Sequence, residues 1–75
     1  MNWKKLTVPE GAKLFKVHTF TYMVKGTTYA LEVDEFGDDS FSGHGEHSTD
    51  KSSVLSSVSA ATLEDCLKAL MAKIK

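Results

Sequence analysis

Three neighbouring residues, His44, Glu46 and His47, form the densest group of metal-ligand side chains in the sequence. On an extended strand His44 and Glu46 point to one face roughly 7 Å apart, while His47 points to the other. A fourth donor from Asp38, Asp39 or Asp50 requires a loop to fold back. Zinc motifs are normally tighter and richer in Cys and His than this. The plainer reading is an exposed polar strand beside a glycine-rich bend. The chemical reading, a metal- or small-ligand-binding module built on His44, Glu46 and His47, stands as the alternative, and no cofactor is expected.

A second group is the carboxylate run Asp34-Glu35-Phe36-Gly37-Asp38-Asp39. Carboxylates are hard oxygen ligands of the kind calcium prefers, but the spacing rejects an EF-hand: Phe36 occupies a ligand slot and Gly43 the closing one. Asp and Gly at this density build turns, and charge keeps such a turn in water. The leading functional expectation is a protein-interaction module whose acidic surface, Glu32, Asp34, Asp38 and Asp39, attracts a basic partner by opposite charge or serves only solubility.

Catalysis is not expected. Ser, His and Asp are all present, yet no Gly-x-Ser-x-Gly elbow or other nucleophile setting appears. Cys66, the single cysteine, sits on an apolar helical stripe and reads as a small buried hydrophobe. His18 reads as a structural histidine with one satisfied nitrogen.

Charge is distributed in three zones. Residues 1–25 carry five lysines against Glu10, residues 32–50 carry seven carboxylates and no lysine, and residues 51–75 carry four lysines against Glu64 and Asp65. The chain contains no arginine. Arginine supplies the planar fork that reads guanine edges and grips phosphates, so its absence beside an acidic centre argues against sequence-specific nucleic-acid recognition. Nucleic-acid binding through Lys4, Lys5, Lys13 and Lys16 is the third reading.

These residues must be positioned by a small scaffold. A chain of 75 residues forms one domain, spanning residues 1–75, and buries a smaller share of its surface than a larger domain does. One cysteine excludes an internal disulfide and fits a reducing compartment. No apolar run approaches the roughly 18 to 20 residues that cross a bilayer, and Met1 to Phe20 lacks the apolar region of a signal peptide. A cytoplasmic location and no membrane partner are expected.

Lys13 to Val24 and Thr27 to Phe36 are rich in aromatic and β-branched residues and flank Lys25-Gly26, a two-residue hairpin turn. If Val24 opposes Thr27, Tyr22 faces Tyr29, Phe20 faces Leu31 and His18 faces Val33, all on one face. The alternate residues Ala30, Glu32 and Asp34 form a solvated acidic face. Phe15 and Val17 fall on the opposite parity from Phe20 and Tyr22, which predicts a β-bulge near His18-Thr19, the alternative being a strand buried on both faces. Gly37-Asp38-Asp39-Ser40 is turn chemistry, so Phe41 to Ser48 returns as a third strand. Gly43 and Gly45 lack side chains to pack, and an edge or irregular position is expected for it. After a turn at Thr49-Asp50-Lys51-Ser52, Val54 to Ala60 is either a fourth short strand or an extended lead into a helix.

The helix is the clearest element. Thr62 caps it, Asp65 stands in a capping-box place, and Glu64 and Asp65 suit the positive end of the dipole. Leu63, Cys66, Leu67, Leu70 and Ile74 form a stripe at helical spacing, with Lys68, Lys73 and Lys75 toward solvent. The expected architecture is α+β: an antiparallel meander of three or four strands packed on one C-terminal helix. Residues 1–12 are expected as an N-terminal arm, either a short strand docked on an edge or disordered. Trp3, Phe15 and Val17 provide leftover apolar surface, and with a free sheet edge they suggest a homodimer.

The aromatic hairpin, the turn Asp34-Glu35-Phe36-Gly37-Asp38, the strand starting near Phe41 and the helix start Thr62-Leu63-Glu64-Asp65-Cys66-Leu67 together resemble the HicB-like antitoxin core over roughly residues 21–74. In place of that family's apolar Pro-Gly segment stand Gly43 to Ser53. The resemblance implies a small toxin protein as partner, often alongside a separate DNA-binding region. The order of elements is also similar to the second half of a double-stranded-RNA-binding domain, with Glu64 and Asp65 where that family carries a basic cluster.

Overall fold

The computed structural model describes residues 2–49 and 54–74, with the backbone alone at Val54. A 3-10 turn at Trp3–Lys5 (η1) opens the chain. Four strands follow: Lys16–Val24 (β1), Thr27–Glu35 (β2), Phe41–His47 (β3) and Val54–Ala60 (β4). A helix, Leu63–Ala72 (α1), closes it. The strands form one antiparallel sheet in the order β1-β2-β3-β4. The fold is thus α+β, of order ββββα, and the segment 54–60 is a strand rather than a lead into the helix.

The β1–β2 hairpin has the register dictated by its turn. Lys25 and Gly26 both have positive φ, 50° and 78°, as a tight two-residue hairpin turn requires. Tyr22 therefore pairs with Tyr29, Phe20 with Leu31 and His18 with Val33. Pairing continues unbroken to Lys16 and Glu35, so no bulge interrupts β1 at His18-Thr19. Val17 keeps strict alternation within β1, and it and Phe15, just before the strand, are exposed at 46% and 40%, so neither the bulge nor burial on both faces is found. The register break lies between β3 and β4. Gly43 faces Val58 and Gly45 faces Leu55, so β4 spends one residue more than β3 in its serine-rich segment.

The third strand is interior, paired on both sides, so the edge position is not found, while the alternative of an irregular strand is met by the register shift between Gly43 and Gly45. The glycines explain its place. A Cβ on Gly43 would lie 2.8 Å from Cys66 Sγ and 2.9 Å from Leu70 Cδ1, and one on Gly45 would lie 2.8 Å from Leu31 Cδ2. The missing side chains leave a trough that receives helix and neighbouring-strand atoms, so this strand suits the centre of the core.

The helix begins where Thr62 Oγ1 accepts the Asp65 amide hydrogen bond at 3.1 Å. It lies over β2, β3 and β4. Leu31, Val33, Cys66 and Leu70 are at most 1% exposed and form the centre, with Phe20, Tyr22, Leu63, Leu67 and Ile74 packed around them. Lys68 and Lys73 are exposed; Lys75 and the expected turn residues Asp50, Lys51 and Ser52 lie outside the described residues. No helix among the described residues is long and apolar enough to cross a membrane.

Candidate functional site

Alternation along β2 and β3 gives the sheet two unlike faces. Leu31, Val33, Gly43 and Gly45 point toward the helix side, and Ala30, Glu32, Asp34, Ser42, His44 and Glu46 point away from it. No helix or further strand among the described residues packs on the outward face. Cross-strand register arranges it in rows: Thr19, Glu32 and His44 in one, Thr21, Ala30 and Glu46 in the next. Ala30 offers only a methyl group, and a half-open hollow of about 160 Å³ lies at this position, bordered by Thr19, Glu32, His44 and Glu46.

Within this face Glu32 and His44 are direct partners, Nε2 to Oε2 2.8 Å. Asp34 joins them. One ligand atom from each of Glu32, Asp34 and His44 lies within 4.8 Å of the other two. Asp34 Oδ1 is shielded from solvent and no donor reaches it. A carboxylate oxygen in that state has lost water without gaining a hydrogen bond.

The residues singled out for metal binding are divided by the sheet. His44 and Glu46 share the outward face, whereas His47 lies on the helix side, its ring 5.2 Å from Tyr29 in an edge arrangement. His47 Nδ1 accepts a hydrogen bond from the Thr49 amide at 3.2 Å. The four acidic candidates divide as well. Glu32 and Asp34 belong to the outward face; Asp38 and Asp39 sit in the β2–β3 turn and have local tasks. Asp38 accepts from the Ser40 amide at 3.1 Å and from its hydroxyl, and the hydroxyl bond above all pulls the Asp38 carboxyl below its usual range. Asp39, at φ 65°, binds Lys4.

Lys4 anchors the N-terminal arm. Its ammonium meets Glu35 at 2.8 Å as well as Asp39, and Glu35 in turn meets His18 Nε2 at 2.8 Å. Lys4 is raised above its ordinary value, chiefly by Asp39 and then Glu35; Glu35 is lowered, chiefly by Lys4 and then His18. The arm is thus tied to the turn end of the sheet by a lysine where a docked strand or a disordered segment was expected. Lys13 stands 4.4 Å from the centre of the Phe36 ring. Two of the four lysines considered for nucleic acid, Lys4 and Lys13, therefore have partners within the chain. Cys66 is buried, and burial, then the charge of Asp34, pushes its thiol up, which disfavours a reactive thiolate.

The combination of Glu32, Asp34 and His44 is the feature that reading along the chain missed. Its signal was not available along the chain, because a Gly37–Ser40 turn pairs Phe36 with Phe41 and sets Glu32 opposite Gly45, whereas the observed pairing of Glu35 with Phe41 sets it opposite His44. No family model matches the chain, and no curated protein or solved structure is significantly similar to it.

Proposed function

We propose that the chain is a small non-enzymatic binding module whose bare sheet face recognises a basic polypeptide segment. The observation that carries this reading is the asymmetry of the sheet: one face is sealed by α1, and the other presents Glu32 and Glu46 beside a hollow, with Asp34 two residues along β2 on the same face. Opposite charge steers a lysine- or arginine-bearing segment to such a face, and alternate side chains of an extended segment can follow its rows. The element order similar to the HicB-like antitoxin core, which implies a protein partner, is in keeping with it.

A lysine-rich fluorescent peptide, titrated with the wild-type chain at low and high salt, tests the proposal. Binding that weakens with salt and is lost in Glu32→Ser/Asp34→Ser, but retained in Asp38→Ser, is the expected result. Equal binding by the two variants, or none by the wild type, would return the carboxylates to a role in solubility.

A second reading concerns self-association. β1 is an edge strand, and it carries the exposed Val17 and Met23, at 46% and 70%, with Phe15 just before it. Pairing of two β1 edges would give an isologous dimer. Sedimentation equilibrium of wild type against Val17→Lys/Met23→Lys checks it, and a monomer at high concentration removes it.

A further inference from the structure

We infer that Glu32, Asp34 and His44 form a binding site for a divalent first-row transition ion, zinc being the best fit. The donor set differs from the one along the sequence, because it is assembled across two strands. Glu32 and Asp34 are two residues apart on β2, and His44 faces Glu32 from β3. Both strands are interior, so the backbone beneath the donors is held by hydrogen bonds on each side. The three donor atoms already lie within 4.8 Å of one another. A tetrahedral ion with bonds of about 2.0–2.2 Å spaces its ligands about 3.3–3.6 Å apart, which small side-chain rotations reach.

The chemistry of the donors selects the ion. An imidazole beside two carboxylates suits zinc, nickel or cobalt, whereas calcium and magnesium prefer oxygen alone. Asp34 Oδ1 supplies an independent pointer: it is closed to solvent and lacks a hydrogen-bond donor, and a cation satisfies an oxygen in that condition. The Glu32–His44 contact is the proton-bearing counterpart of the same site, with a proton where the metal would bridge the two side chains. Three protein ligands leave a fourth position for water or a donor from another molecule. The inference does not rest on the basic partner; a bound ion would instead lower the negative charge of the same face.

The test is a zinc titration of the full chain, followed by calorimetry and by the histidine ring resonances. Uptake of one ion, selective shifts of His44 over His47, and an affinity at least tenfold lower in Glu32→Gln, Asp34→Asn and His44→Gln are expected. His47→Gln should bind as wild type does. The near-isosteric Asp34→Asn keeps the surface shape, and an unchanged circular dichroism spectrum confirms that each variant is folded. Zinc should also raise the thermal midpoint of wild type and not that of Asp34→Asn, because an ion bound only to the native state stabilises it. No uptake at millimolar zinc, uptake lost only in His47→Gln, or calcium binding as tightly as zinc with His44 immaterial would each overturn the inference. Since no peptide is present, these outcomes are separate from the fate of the partner proposal.

Discussion

The two faces of the sheet are built from alternate residues of the same strands, yet they obey different rules. On the helix side Leu31 and Val33 are at most 1% exposed, and Gly43 and Gly45 are shaped by what packs on them. On the other side Glu32 and His44 stand 40% and 47% exposed and are shaped by the register that brings them opposite each other. The first face is under the constraint of volume, because close-packed atoms leave no room for change. The second is under the constraint of charge and position alone. Buried apolar and exposed charged side chains are thereby placed one residue apart along the chain without competing for the same positions.

Substitutions can break this contrast or sharpen it. The largest effect is expected at Leu70, fully buried on α1: Leu70→Ala should cost about 2–5 kcal/mol in urea unfolding. In so thin a core that loss would leave little cooperative transition. Next is Gly43→Ala, where the new methyl meets Cys66 Sγ at 2.8 Å; overpacking of this kind costs about 1–3 kcal/mol, read as a lower urea midpoint. A neutral result at Gly43 would mean that the helix sits farther from β3 than described.

A smaller effect belongs to the arm and follows pH. Glu35 is held below the ordinary glutamate value of 4.5, so its ion pair stabilises the fold above that pH and the contribution is lost as pH falls through the lowered value. Lys4 is held above 10.5, so its share is complete below that pH and is lost as pH rises through the raised value. Trp3 fluorescence should therefore report a docked arm between these limits and a released one outside them, and Lys4→Met should abolish the dependence. Smallest of all, the uncovered face should tolerate change: Met23→Thr, at a residue 70% exposed, is expected within about 0.5 kcal/mol of wild type. A larger cost there would show that something covers this face in solution.

Much of the fold was legible along the chain. The Lys25-Gly26 turn settled the β1–β2 register, because two residues between alternating strands admit few pairings. Thr62, Asp65 and the stripe through Cys66 and Leu70 defined α1, since capping and helical periodicity are local properties. Other features resisted such a reading. Gly43 and Gly45 suggested an edge when only local packing was weighed; their central place depends on Cys66, Leu70 and Leu31, which approach from elsewhere in the chain. Phe15 and Val17 suggested a bulge because apolar side chains were expected inside, whereas Val17, opposite Asp34, stands on the face away from α1 while Phe20 and Tyr22 of the same strand pack on the core.

The candidate site divides in the same way. The sequence by itself determined that Glu32 and Asp34 share a face, and that His44 and His47 point apart, because a strand alternates with a period of two. Only the tertiary structure decided that His44 meets Glu32 and Asp34, that Asp38 and Asp39 are engaged within the turn and by Lys4, and that the opposite face is sealed. Those outcomes depend on strand order and on where the helix lands, which are set by long-range packing rather than by any residue's own preference.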